Sequence, residues 1–104
     1  MKSAELSFEN IHKAFESRVR LGIMSALAVN DSLDFTSLKE YLNVSDGNLA
    51  SHLKMLEKEK FIGVEKSFVD RKPNTNYYMT KEGKRAFDNH LVILKKIINS
   101  QRMP

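Results

Sequence analysis

Between Asn43 and Thr80 a short amphipathic stretch runs directly into two β-prone segments separated by the basic turn Asp70-Arg71-Lys72-Pro73-Asn74. Leu49, Leu53 and Leu56 recur at i, i+4 and i+7, which at about 100° per residue makes one buried stripe. That stripe predicts a helix with Gly47, Asn48, Ser51, Lys54, Met55 and Lys58 facing outward. Phe61 to Val69 and Asn76 to Thr80 are rich in β-branched and aromatic residues on either side of the polar turn, so they predict a hairpin. A helix has the width to enter the DNA major groove, and a cationic hairpin beside it can hold adjacent phosphates.

Upstream, Phe8, Ile11 and Phe15 fall at helical spacing, and Val19, Ile23 and Leu27 repeat every fourth residue after a Ser17 cap. Leu33-Asp34-Phe35 is long enough only for a small strand. Thr36 to Leu42 reads as the next helix, with Ser37 and Glu40 at capping-box spacing. After a tight turn at Asn43-Val44, Ser45 is placed to cap the following helix, and Asp46 suits its positive end. Short helix, tight turn and second amphipathic helix form a helix-turn-helix, whose second helix presents its outward N-terminal side chains to base edges.

Asn48 is suited to paired hydrogen bonds with adenine, Ser51 to a base or a phosphate, and Lys54 to guanine or the backbone. Gly47 permits close backbone approach. Ser45 and Lys58 bound this DNA-binding set. His52 lies at the edge of the buried stripe, where packing and phosphate donation are both open. Arg71 and Lys72 fall at the hairpin tip; beside this helix, phosphate or minor-groove contact is favoured over a merely solvated turn.

A chain of 104 residues suits one domain. Formal charge is +4, divided as −1 over residues 1–43 and +5 over residues 44–104, so the basic bias falls on the reading half. The absence of cysteine excludes disulfides and thiolate metal sites. No apolar run approaches the roughly 18 residues of a membrane span, and Met1 to Glu5 lead into no signal-peptide core, so a cytoplasmic setting without membrane association is expected. Gly22, Gly47, Gly63 and Gly83 are too scattered for a phosphate loop. With no histidine-glutamate zinc motif and no nucleophile-base constellation, an enzyme is not expected.

Arg18 to Met24, Leu33 to Phe35, Asp46 to Leu53, Arg71 to Pro73, Tyr78 to Thr80 and Gly83 follow in an order that resembles the small winged-helix transcriptional regulators related to the MarR and ArsR repressors. The resemblance implies a homodimer that binds operator DNA, with its recognition helix at Asp46 to Lys58 and its wing around Arg71. Asp70 departs from it, because relatives tend to carry glycine there. ArsR-type relatives often sense metals, and Asp88 with His90 resembles the first half of an interhelical site. Asn99, Ser100, Gln101 and Arg102 supply no second half, and the remaining histidines, His12 and His52, do not complete it, so neither metal nor cofactor is expected.

The last helix, beginning after a Thr80 cap, carries two apolar stripes: Phe87, Leu91, Leu94 and Ile98 beside Ala86, Ile93 and Ile97. That exceeds what one small core needs, so Phe87, Leu91, Leu94 and Ile98 are expected to pair across a two-fold axis with Phe8, Ile11 and Phe15. The expected fold is mainly α with a small β-hairpin: a three-helix core, a wing, and a long C-terminal dimerisation helix. Its parts are a dimerisation segment at 1–16, helix-turn-helix and wing at 17–80, and the final helix at 81–104. The expected function is a sequence-specific, double-stranded DNA-binding transcription regulator, a repressor acting as a homodimer on a roughly palindromic operator. The competing reading is a winged helix that docks protein rather than DNA. No residue identifies a small-molecule effector.

Overall fold

The computed structural model describes residues 13–102; Phe8, Ile11 and His12 lie outside them. A short 3-10 turn at Lys13–Phe15 leads into α1 (Arg18–Ala28), β1 (Leu33–Asp34), α2 (Phe35–Leu42) and α3 (Asp46–Lys58). The chain then forms β2 (Ile62–Val69), β3 (Lys72–Met79) and the long α4 (Lys81–Arg102). The sheet is antiparallel in the order β1-β3-β2, with Leu33 opposite Tyr77 and Ile62 opposite Met79. This is the expected helix-rich α+β architecture with a wing.

Each helix starts on a side chain that accepts an otherwise unpaired backbone N–H. Ser17 receives the Arg20 N–H at 3.3 Å, Asp34 that of Ser37 at 2.8 Å, Ser45 that of Asn48 at 3.2 Å and Thr80 that of Gly83 at 2.9 Å. The α2 cap is therefore Asp34. The capping-box spacing of Ser37 and Glu40 pointed too far along the chain, since Phe35 already opens the helix and Ser37 lies in its first turn. Asn43 closes α2 in the left-handed region at φ 54, donating its N–H to the Lys39 carbonyl at 2.8 Å.

The core is built from Ile23, Met24, Leu38, Leu49, Leu53 and Leu56, all fully buried. Truncating one such leucine costs about 2–5 kcal/mol, a large share of the roughly 5–15 kcal/mol that holds a domain together. The leucine stripe therefore fixes which face of α3 is left to solvent. Met55, expected outward, is half-buried and packs against this core.

The end of α3 is a Schellman turn, with Phe61 N–H donating to the Leu56 carbonyl at 3.0 Å and Lys60 N–H to that of Glu57 at 2.9 Å. Lys60 takes the left-handed conformation at φ 65. Phe61 is buried beyond it, its ring stacked on Phe15 at 5.9 Å, while its carbonyl accepts the Thr80 N–H at 3.1 Å. Phe15 also meets Phe87 at 6.1 Å and His90 at 4.6 Å.

Phe15 and Phe87 thus lie in this chain's own core rather than on a face left for a second copy, because Phe61 and the inner side of α4 close over them. On α4 the buried positions are Gly83, Phe87, His90, Ile93 and Ile97, with Ala86 and Leu94 half-buried. Leu91, Val92 and Ile98 remain about half exposed. The surplus apolar surface expected of this helix is present, but on fewer positions than the two stripes suggested. His90 points inward, while Asp88 is exposed and pairs with Lys84 at 3.0 Å, so the two do not form half of a metal site. Among the described residues, no group of three His, Asp or Glu is placed to hold a metal, and no helix is long and apolar enough to cross a membrane.

Gly83 lets the first turn of α4 abut the Phe61 backbone, since a Cβ there would collide with the Phe61 carbonyl oxygen. Gly47, by contrast, faces open space. Gly83→Ala is expected to destabilise the fold by about 2 kcal/mol or more, whereas Gly47→Ala gains up to about 1 kcal/mol from helix propensity. Urea unfolding of the two variants checks the opposite signs.

Candidate nucleic-acid interface

The sequence-selected residues of α3 all emerge on one side of the helix. Ser45, Gly47, Asn48, Ser51, Lys54 and Lys58 are exposed. The side chains of Asn48, Ser51, Lys54 and Lys58 make no hydrogen bond or ion pair among the described residues. A shallow open groove bordered by Ser51, Lys54, Met55, Glu57 and Lys58 follows this outer face. Because Leu49, Leu53 and Leu56 hold the opposite stripe, the outer side chains are free of structural duty and available to a partner.

Asp46 offsets part of the positive potential at the start of α3. It is itself paired with Lys39 at 2.7 Å. That exposed pair spans the end of α2 and the start of α3. Lys39 was not among the residues chosen from sequence; its position one turn before the α2 C-cap is the signal that could have found it.

His52 is half-buried at the side of α3, and an Arg20 guanidinium N–H reaches its Nδ1 at 3.0 Å. A guanidinium only donates, so Nδ1 must be the acceptor and the imidazole proton sits on Nε2. Arg20 Nε also donates to the Ala14 carbonyl at 3.0 Å. One arginine thereby ties α3 to the segment preceding α1, giving His52 a positioning role through Arg20. Burial lowers the His52 pKa below its usual range, and the adjacent Arg20 charge lowers it further. Burial alone does the same to His90, neither of whose ring nitrogens has a hydrogen-bond partner among the described residues.

The wing is longer and its turn tighter than the sequence suggested. Lys72, Pro73 and Asn74, read as turn, belong to β3, with Lys72 opposite Val69 and Pro73 opposite Phe68. Only Asp70 and Arg71 remain between the strands, at φ 53 and φ 67. Positive φ at both central residues matches a type I′ hairpin turn, whose twist suits the flanking strands. Asp70 is therefore compatible with this tip without a glycine, because a short polar side chain tolerates the left-handed region. Arg71, Lys72 and Pro73 are all exposed.

The root of the wing packs on the core through Tyr77. Tyr77 is half-buried there; burial raises its phenol pKa and the Glu57 carboxylate of α3 raises it further. α3, with its polar outer face, passes through the Lys60-Phe61 turn straight into β2 of the hairpin with its cationic tip.

The profile described as "Winged helix DNA-binding domain" matches residues 19–98. The chain belongs to the winged-helix DNA-binding domain family. An uncharacterized protein of Methanocaldococcus jannaschii is 39% identical over 79 residues, covering 76% of this chain and 86% of that protein. A transcriptional regulator homologue from Pyrococcus horikoshii superposes with a TM-score of 0.85 at 30% identity, covering 96% of this chain and 99% of the other. The fold is shared with a MarR-family transcriptional regulator from Silicibacter pomeroyi, at a TM-score of 0.66 and 16% identity over 95% of this chain and 65% of that one. The winged-helix domain is thus related to MarR in fold.

Two outcomes follow from this geometry. The unfolded chain takes up imidazole protons near pH 6.5, whereas folded His52 and His90 resist them, so stability is full above that pH and declines below it. The thermal midpoint should fall between pH 7.5 and 5.5, with a flatter profile in His90→Leu. Arg71→Gly removes a left-handed side chain that costs roughly 1–2 kcal/mol, so chemical denaturation should show a more stable hairpin.

Proposed function

We propose that the protein is a sequence-specific, double-stranded DNA-binding transcriptional repressor that acts as a homodimer on a roughly palindromic operator. The observation that carries this reading is the outer face of α3, where Asn48, Ser51 and Lys54 stand exposed and uncommitted beside a wing tipped by Arg71 and Lys72. The outer face of α3 enters the major groove, where Asn48 near its start pairs with adenine and Lys54 reaches guanine or phosphate. Gly47 keeps the helix start close to the sugar-phosphate chain. Ser45, Ser51, His52 and Lys58 contribute backbone contacts, and Arg71 and Lys72 hold phosphates flanking the groove.

Leu91, Val92 and Ile98 expose apolar surface along α4, and their burial against a second copy supports the dimer. Leu94 flanks them, while Phe8 and Ile11 belong to the proposed partner-facing segment outside the described residues. A two-fold axis would set the two α3 helices on half-sites about 34 Å apart. Repression then follows from occupancy of promoter DNA.

Selecting bound duplexes from a random pool provides the direct test. Recovered sequences should carry an inverted repeat, and their affinity should drop steeply with salt, reflecting several phosphate contacts. Arg71→Ala should weaken every duplex alike, while Asn48→Ala should change base preference at one position in each half-site. Flat salt dependence with no enriched sequence would instead indicate a protein-docking winged helix.

A further inference from the structure

Phe68 is 76% exposed and Val69 54% exposed at the far end of β2, where neither contributes to the core. Strand alternation puts Phe68 on the face that carries Ile62 and Val64 nearer the body, and its partner across the ladder is Pro73. Val69 and Lys72 occupy the reverse face. The Phe68 face of the tip is consequently an aromatic ring with a proline beside it, with Lys66 on the same face and Arg71 at the turn, while Lys72 projects from the reverse face. Arg71 adopts a left-handed conformation that a glycine would adopt at less cost, and strain retained at an exposed tip points to a task outside the fold.

We propose that the wing inserts Phe68, backed by Pro73, as an apolar wedge into the DNA minor groove, opening a base step and bending the duplex while Arg71 and Lys72 hold the flanking phosphates. This rests on the DNA reading above and adds a deformation step to it.

Scale and charge favour this occupant. Three apolar residues at a hairpin tip fall far short of the roughly 800 Å² per partner that a stable protein interface buries. A single planar ring needs only the space between two base pairs. The minor groove, about 6 Å wide, is too narrow for the paired strands but admits a side chain projecting from the tip. Cations on both sides of the ring match the phosphate walls of that groove, and apolar wedges of this kind bend duplexes by about 20–90°. The bend would bring both half-sites of a dimer-bound operator around the protein.

The probe is a duplex recovered from the random-pool selection, end-labelled with a donor and an acceptor, with 2-aminopurine at successive steps beside each half-site. Full-length protein at saturation should shorten the end-to-end distance and brighten 2-aminopurine at one step per half-site. Phe68→Ala should abolish both signals while retaining affinity within about tenfold, because the α3 and phosphate contacts persist. Phe68→Leu, which keeps an apolar wedge, should restore part of the bend. Circular dichroism melting checks that each variant is folded, as expected for an exposed site.

Tight binding by the unmodified protein without bending or unstacking overturns the wedge and leaves the DNA reading standing. An undiminished bend in Phe68→Ala does the same. A change of oligomeric state in that variant by light scattering, with the bend unaltered, would reassign the patch to self-association. If no duplex binds at all, the DNA reading and the wedge fall together.

Discussion

The Phe61 carbonyl accepts the Thr80 N–H while the Phe61 ring stacks on Phe15, and these two contacts join the parts of the molecule that must act together. Upstream, Phe61 N–H ends α3 through the Schellman turn; downstream, Ile62 starts the wing. On the far side the same carbonyl sits against Gly83 at the start of α4. Thr80 reinforces the junction, because its hydroxyl donates to the Lys60 carbonyl at 2.6 Å and accepts the Gly83 N–H. α3, the wing and α4 therefore meet at one node, where α3 passes into the wing through the Schellman turn.

Around that node, the side chains that hold the fold are distinct from the exposed polar side chains of α3 and the wing. The helices are secured by Ser17, Asp34, Ser45 and Thr80 at their starts and by buried leucines along their inner faces. The side chains of Asn48, Ser51, Lys54, Arg71 and Lys72 make no hydrogen bond or ion pair among the described residues. Their replacement therefore leaves the core contacts in place. Arg20 is the exception, since its links to His52 and the Ala14 carbonyl connect the side of α3 to the chain entering α1.

Much of the α3 and wing architecture was legible because it rests on local rules. The four-residue spacing of Leu49, Leu53 and Leu56 identified both the buried and the free face of α3, and Ser17, Ser45 and Thr80 announced their helices. Where local signals competed, the reading slipped. Ser37 looked like a cap by spacing, but Asp34 is held by pairing of β1 with β3, a long-range contact no window contains. Pro73 and Asn74 looked like turn, yet two residues suffice once Asp70 and Arg71 both enter the left-handed region. Phe15 and Phe87 looked like surplus apolar surface until Phe61, some 46 residues beyond Phe15, closed over them.

By itself, then, the sequence determined the element types, the leucine stripe that turns Asn48, Ser51 and Lys54 to solvent, and the placement of basic charge in the C-terminal half. These depend on residue spacing and backbone preference, which act over a few residues. Only the tertiary structure decided which aromatic rings belong to the core, how tight the wing tip is, that Phe68 is left exposed there, and that Arg20 supports His52. Those outcomes depend on which distant surfaces meet, because burial is conferred by neighbours far along the chain.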